Sequence, residues 1–76
     1  MKKVLVTGAT GSIGEEIVKE YAKNGFFVYI HYNSNQQKAL ELLEEINNNG
    51  ELISFDIKNK DSIKNSLENL EIDVLI

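Results

Sequence analysis

The sequence contains no cysteine, and its acidic residues outnumber its basic ones. Without cysteine, the chain can form neither a disulfide framework nor a zinc site with cysteine ligands. Its formal net charge is −4, whereas proteins that bind nucleic acid generally present a basic surface. No apolar run approaches the length of a membrane span, and the first run ends too early for a signal peptide. We therefore expect a cytoplasmic protein that binds no nucleic acid, membrane or metal.

The composition is typical of one small globular domain. The chain has 76 residues, of which 42% are hydrophobic and 26% are charged, as in ordinary folded domains. It has no linker, internal repeat or low-complexity stretch. We therefore interpret residues 1–76 as a single domain.

Short β-branched runs alternate with stretches of helical periodicity along the chain. The runs predicted as strands are residues 3–7, 26–32, 52–55 and 72–76. The first helical stretch covers residues 14–24, and the second begins at Ser34 in a capping-box pattern with Gln37. The third has Asn59 or Asp61 as its cap. This alternation predicts an α/β fold in the order βαβαβαβ, with a parallel sheet and right-handed crossovers.

Three glycines follow the first predicted strand at intervals of three residues: Gly8, Gly11 and Gly14. Residues without side chains let the backbone approach a diphosphate, and the next helix offers the anion unpaired N–H groups and a positive dipole end. Gly14 also permits close packing between helix and strand. Thr10 and Ser12 add hydroxyl donors to this loop. The pattern favours a dinucleotide-binding turn over a connection that is merely tight.

The loop lacks the features of a triphosphate site. The Walker pattern requires Gly-Lys-Ser/Thr after its first glycine, where this sequence has Ile13, Gly14 and Glu15. The loop contains no basic residue, and the acidic pair Glu15 and Glu16 would repel a highly charged triphosphate. The expected ligand is therefore a diphosphate that bridges two nucleosides.

Four segments together resemble the short-chain dehydrogenases/reductases. They are residues 7–14 (TGATGSIG), 32–35 (YNSN), 56–57 (DI) and 73–76 (DVLI), and they keep the family's order and spacing. The resemblance implies an oxidoreductase that transfers a hydride between NADP(H) and a carbonyl or alcohol substrate. Among family members, the sequence is most similar to the bacterial 3-oxoacyl-acyl-carrier-protein reductases of fatty acid biosynthesis and related carbonyl reductases.

The glycine spacing departs from the pattern of the shorter family members. These usually carry Thr-Gly-x-x-x-Gly-x-Gly, which would place glycine at Ser12. The spacing found here is common in the extended members, which include sugar-nucleotide epimerases and dehydratases. The segments at residues 33–34 and 56–57 fit the reductases better. We therefore favour the reductase interpretation, with the extended type as the alternative.

The resemblance also implies roles for individual residues. The cofactor's diphosphate and ribose would contact four residues of the loop: Gly8, Thr10, Ser12 and Ile13. Asp56 would accept a hydrogen bond from the adenine amino group, and Ile57 would pack on the adenine ring. The less favoured alternative for Asp56 is an exposed acid in a turn after a strand.

The end of the second predicted strand distinguishes NADP from NAD. An NAD site has an acidic residue there, about 20 residues after the glycines, for the ribose hydroxyls. Residues 30–34 (IHYNS) contain none, which favours NADP because a carboxylate would repel its 2′-phosphate. Asn33 and Ser34 are placed to donate to that phosphate, and Lys38 to reach it. Many NADP-using relatives have an arginine where this sequence has Gly11, so NAD stays open as the second choice.

No catalytic residue is assigned within the chain. The family uses a Tyr-x-x-x-Lys pair, in which the lysine lowers the pKa of the tyrosine. The residues four places after Tyr21, Tyr29 and Tyr32 are glycine, asparagine and glutamine. His31 has no second histidine or cysteine with which to bind a metal, and we interpret it as a packing or edge residue. We expect no turnover by these 76 residues alone.

The resemblance implies the N-terminal part of a Rossmann fold that is incomplete at its C-terminus. The family's Asn-Asn-Ala-Gly segment would begin after Ile76. The implied strand order is 3-2-1-4, which leaves residues 72–76 as an exposed apolar edge. The partners would be the dinucleotide and a carbonyl substrate bound by later residues, in a protein that forms homo-oligomers. The remaining alternative is a dinucleotide-binding module without catalytic activity.

Overall fold

The computed structural model describes residues 2–55, 58–68 and 70–76, without the side chain of Ser66. Strands and helices alternate, and the four strands form one parallel sheet in the order β3-β2-β1-β4. The elements are β1 (Lys3–Val6), α1 (Ser12–Lys23), β2 (Phe27–Tyr32), α2 (Gln36–Glu45), β3 (Gly50–Ser54), α3 (Lys60–Leu67) and β4 (Val74–Leu75). The predicted α/β class and the strand order 3-2-1-4 are confirmed.

β1 lies inside the sheet between β2 and β4. It pairs with β2 over four residues, from Lys3 opposite Phe27 to Val6 opposite Ile30. It has a neighbour on each side, and its apolar residues are fully buried: Val4, Leu5 and Val6. A continuous apolar run is what a strand covered on both faces requires.

The main core lies between the sheet and the two helices α1 and α2. Alternate residues of a strand point to opposite faces, so Val4 and Val28 belong to this core, whereas Leu5 and Tyr29 face the other side. The helices contribute buried aliphatic residues: Val18, Ala39, Leu42 and Ile46. These contacts hold the start of α1 beside the carboxyl ends of β1 and β2.

The helix starts differ in part from those predicted. α1 begins at Ser12, two residues earlier than expected, with Gly11 as its N-cap. α2 is capped by Asn35, whose Oδ1 accepts the Lys38 N–H at 3.2 Å. The predicted capping box at Ser34 is wrong, because α2 begins one residue too late for it. For α3, the expected Asn59 cap is confirmed by hydrogen bonds from two backbone amides of the first turn.

A tight turn joins α2 to β3, so that β3 begins at Gly50 rather than at residue 52. Asn47 and Asn48 both adopt positive φ values of 58°, which asparagine tolerates better than most residues. The Asn49 side chain donates to the Phe26 carbonyl at 3.0 Å. A Cβ on Gly50 would collide with the Val28 carbonyl oxygen. Glycine at this position therefore allows β3 to pair with β2 directly after the turn.

β4 pairs with β1 through only two residue pairs, Val4 with Val74 and Leu5 with Leu75. Flanking contacts extend this pairing: the Lys3 N–H donates to an Asp73 carboxylate oxygen at 2.8 Å, and the Thr7 hydroxyl donates to the Ile76 carbonyl at 2.7 Å. The side chain of Leu75 is 66% exposed. β4 is therefore shorter than the predicted residues 72–76, and its apolar outer edge is exposed as expected. Among the helices of the described residues, none combines the length and apolar character required to cross a bilayer.

Replacing Leu42 by alanine should destabilise the protein far more than replacing Leu40, which lies on the same helix. Leu42 is 1% exposed and packs in the core, whereas Leu40 is 41% exposed. Truncating a buried leucine typically lowers the free energy of unfolding by about 2–5 kcal/mol. Urea unfolding should show that loss for Leu42→Ala and a change below about 1 kcal/mol for Leu40→Ala. Equal losses would contradict the packing described here.

Candidate functional site

The loop between β1 and α1 is shaped by its first and third glycines. Gly8 has a φ of +61°, a conformation that residues with a side chain rarely adopt. At Gly14, a Cβ would lie 2.5 Å from the Gly8 carbonyl oxygen and 2.9 Å from the Ala9 Cα. The first turn of α1 can therefore rest directly on the loop only because residue 14 has no side chain.

Gly11 is different, because the fold does not demand a glycine there. Its φ of −76° is open to any residue, and a Cβ would meet only the Gly8 carbonyl oxygen at an ordinary 3.6 Å. The residue is exposed and stands at the N-cap of α1. A glycine at this position leaves space above the helix start, as a ligand that approaches the backbone would require.

Several backbone amides at the start of α1 are open. Gly11 provides no side-chain cap. The loop's own hydrogen bonds join Gly11 N–H to the Gly8 carbonyl and Glu15 N–H to the Gly11 carbonyl. Within the described part of the chain, no acceptor pairs with four backbone amides on either side of Gly11: those of Thr10, Ser12, Ile13 and Gly14. Open N–H groups and the positive end of the helix dipole together form a site for an anion.

The acidic residue at this helix start is neutralised by lysines. Glu15 forms ion pairs with Lys38 of α2 at 3.2 Å and with Lys19 at 3.3 Å, and Lys19 also contacts Glu45 at 3.3 Å. The hydrogen bond from Lys38, and next that from Lys19, lower the pKa of the Glu15 carboxyl below its ordinary value. The repulsion of a phosphate by Glu15, expected from the sequence, is therefore offset by its two partners.

The residues that follow β2 lie at the same edge of the sheet as the glycine loop, because parallel strands end together. Asn33 and Ser34 are exposed there, and Ile13 of α1 is 78% exposed. The structure thus brings the predicted loop residues and the predicted β2 residues to one edge. The two remaining predicted positions, Asp56 and Ile57, lie outside the described residues.

His31 belongs to this region although the sequence indicated only packing. Its side chain is 1% exposed, as a packing residue requires. Its Nδ1 accepts the Gly8 N–H at 3.0 Å, and its carbonyl accepts the Ala9 N–H at 3.0 Å. The sequence signal that could have identified this contact is the place of His31 directly after a run of apolar strand residues. In a parallel sheet, this place lies level with the glycine loop.

No cluster suited to a metal ion occurs in residues 2–55, 58–68 and 70–76, when groups of three or more histidine, aspartate and glutamate side chains are considered. The open backbone amides at this edge of the sheet suit an anion, with uncharged donors near them.

A family comparison agrees with this geometry. The model of the short chain dehydrogenases matches residues 2–76, which is nearly the whole chain. The chain belongs to the short-chain dehydrogenase family. One relative in this family is the Bacillus subtilis protein named uncharacterized oxidoreductase YmfI, which is 38% identical over 64 residues, covering 79% of this chain and 26% of YmfI.

Solved structures share the fold of this short-chain dehydrogenase chain. A serine dehydrogenase solved with NADP+ is 32% identical, with a TM-score of 0.82 over 96% of this chain and 31% of its own. The angucycline C-6 ketoreductase LanV with bound NADP has a TM-score of 0.86 over 97% of this chain and 34% of its own; at 24% identity, this likeness concerns the fold alone. The chain thus spans about a quarter of YmfI and about a third of these structures.

Replacing Glu15 by glutamine should reduce the decrease in the free energy of unfolding that occurs at acid pH. The pKa of Glu15 is lower in the folded protein, so its ion pairs stabilise the fold above the ordinary pKa of a glutamate. This contribution disappears as the pH falls through the lowered pKa.

Urea unfolding at neutral pH and at about pH 3 measures the effect. The wild type should lose more stability between the two pH values than Glu15→Gln does. The neighbouring Glu16→Gln is the control, since Glu16 is exposed and forms no ion pair with the described residues. An identical pH profile for wild type and Glu15→Gln would show that these ion pairs do not contribute.

Proposed function

We propose that this chain is the NADP(H)-binding segment of an oxidoreductase that interconverts carbonyl and alcohol groups. The observation that carries the proposal is the set of open amides at the uncapped start of α1, in a chain matched almost throughout by the short-chain dehydrogenase family. Such a helix start suits the diphosphate of a dinucleotide. When bound, NADP(H) supplies or accepts the hydride, and the residues of this chain bind and orient it.

The residues present fit this cofactor. The diphosphate would lie against the open amides of Thr10, Ser12, Ile13 and Gly14, above the exposed Gly11. The pairing of Glu15 with two lysines removes an obstacle to a second negative charge nearby. Beyond the loop, Asn33 and Ser34 would donate to the 2′-phosphate, and Asp56 and Ile57 would contact the adenine.

The relatives support NADP over NAD. A serine dehydrogenase at 32% identity was solved with NADP+, and the Brucella canis FolM alternative dihydrofolate reductase 1, complexed with NADP, is 29% identical with a TM-score of 0.81 over 97% of this chain and 33% of its own. The sequence agrees, since residues 30–34 carry no acidic side chain that would repel a 2′-phosphate.

The finer assignment is a reductase similar to those that act on 3-oxoacyl groups carried by acyl-carrier protein. It rests on the match of residues 33–34 and 56–57 to that branch. We further propose that residues 1–76 act as one cofactor-binding unit in a cytoplasmic homo-oligomer. Because no tyrosine here is followed by lysine four residues later, these residues alone should bind NADP(H) without oxidising it.

Replacing Gly11 by aspartate should abolish tight NADPH binding while the protein stays folded. Aspartate is a favourable N-cap residue, and the backbone and space at Gly11 accept a side chain. Its carboxylate would stand at the proposed diphosphate position, where two like charges about 4 Å apart repel by about 1–4 kcal/mol. This energy corresponds to a loss of affinity of about fivefold to several hundredfold.

The matched control is Gly11→Asn, which has the same size and capping ability without the charge. NADPH fluorescence titration should give saturable binding for the wild type, a loss of at least about fivefold for Gly11→Asp, and a much smaller loss for Gly11→Asn. Absence of saturable binding by the wild type, or equal losses in both variants, would contradict the proposal.

Replacing Lys38 by glutamine should weaken NADPH binding more than NADH binding. Lys38 lies in the first turns of α2, close behind Ser34, and its ammonium group reaches Glu15 at the helix start. A lysine near a 2′-phosphate favours only the cofactor that carries it. Titration with both cofactors should show a selective loss of about fivefold or more. Lys19→Gln also removes an ion pair of Glu15 and should not change the preference; a parallel shift with both cofactors in Lys38→Gln would refute the role.

A further inference from the structure

His31 is the one buried polar side chain among the residues that the structure describes. Its ring stacks on the Phe55 ring, with 4.2 Å between the centroids and 29° between the ring planes. Both ring nitrogens have partners: Nδ1 lies 3.0 Å from the Gly8 amide nitrogen, and Nε2 lies 3.1 Å from the Phe55 carbonyl oxygen. His31 lies in β2, and its imidazole therefore connects the glycine loop after β1 to Phe55, the residue after β3.

These partners specify one protonation state of the imidazole. The Gly8 N–H can only donate, so Nδ1 must be an unprotonated acceptor. The Phe55 carbonyl can only accept, so Nε2 must carry the hydrogen. The other neutral tautomer would leave both contacts without a hydrogen bond, and the imidazolium would direct an N–H of Nδ1 at the N–H of Gly8. Only the neutral Nε2–H form satisfies this site.

The same contacts determine which loop amides face outward. The Gly8 N–H is held by the His31 ring and the Ala9 N–H by the His31 carbonyl, so both are directed at β2. Gly8 has its positive φ in this arrangement. The open amides are that of the next residue, Thr10, and, after the bonded N–H of Gly11, those of the first residues of α1. Without the ring nitrogen, the Gly8 N–H has no acceptor. The loop then loses one of the two hydrogen bonds that hold it to β2.

We propose that His31, as the neutral Nε2–H tautomer, is a positioning residue for the dinucleotide: it holds Gly8 so that the amides from Thr10 onward face the diphosphate. This inference rests on the proposed function. Packing alone does not require histidine here, because an apolar side chain of similar size could fill the space next to Phe55. What an apolar residue cannot provide is an acceptor for the Gly8 amide.

The experiment combines nitrogen-15 NMR of the imidazole with NADPH titration of two variants. In the wild type, the ring resonances should show unprotonated Nδ1 and protonated Nε2, and the Gly8 amide should exchange slowly with solvent. His31→Leu removes the acceptor and should lower NADPH affinity by about tenfold, within the range expected for an unpaired buried donor. His31→Asn keeps an oxygen acceptor near the Nδ1 position and should recover most of that affinity.

The outcomes separate this inference from the proposed function. If the wild type does not bind NADPH saturably, the proposed function is refuted, whereas the tautomer measurement still tests the ring geometry without any ligand. If the wild type binds and His31→Leu binds equally well, only the positioning role is refuted. The opposite tautomer, or equal losses in folded His31→Leu and His31→Asn, would also refute it. If His31→Leu does not fold, the ring resonances and the binding by His31→Asn decide the question.

Discussion

The site depends on the close approach between the start of α1 and the end of β1. This contact exists because residue 14 is a glycine, with the Gly8 carbonyl and the Ala9 backbone where a side chain would stand. The approach directs the helix axis, and so the positive end of its dipole, at the carboxyl edge of the sheet. A bulkier residue at position 14 would displace α1 and with it the open amides on which the proposed binding of a diphosphate rests.

Parallel pairing then brings separate parts of the sequence to the same edge. β1, β2 and β3 all end there, so His31 of β2 contacts both Gly8 of the glycine loop and Phe55. The helices reinforce this arrangement on one side of the sheet, where Lys38 of α2 pairs with Glu15 of α1. The negative charge of Glu15 is thus balanced close to the position that a negatively charged dinucleotide would occupy.

Much of this fold could be predicted from local patterns. β-branched runs, helical periodicity and the glycine spacing are properties of neighbouring residues, and they indicated the element order and the loop correctly. The boundaries were less accurate: β3 begins at Gly50, because a missing side chain lets the strand pair early. The α2 cap is Asn35 rather than Ser34, because the Asn35 side chain accepts the Lys38 N–H of the first turn.

Residue types at fixed spacings were enough to predict the alternation of strands and helices, the family and the place of the glycine loop. The contacts of His31 and the neutralisation of Glu15, by contrast, are visible only in the tertiary structure. Both depend on pairs that are distant in sequence, Gly8 with His31 and Glu15 with Lys38. Such pairs meet through strand register and helix packing, and a local pattern contains no information on the distance or direction between their atoms.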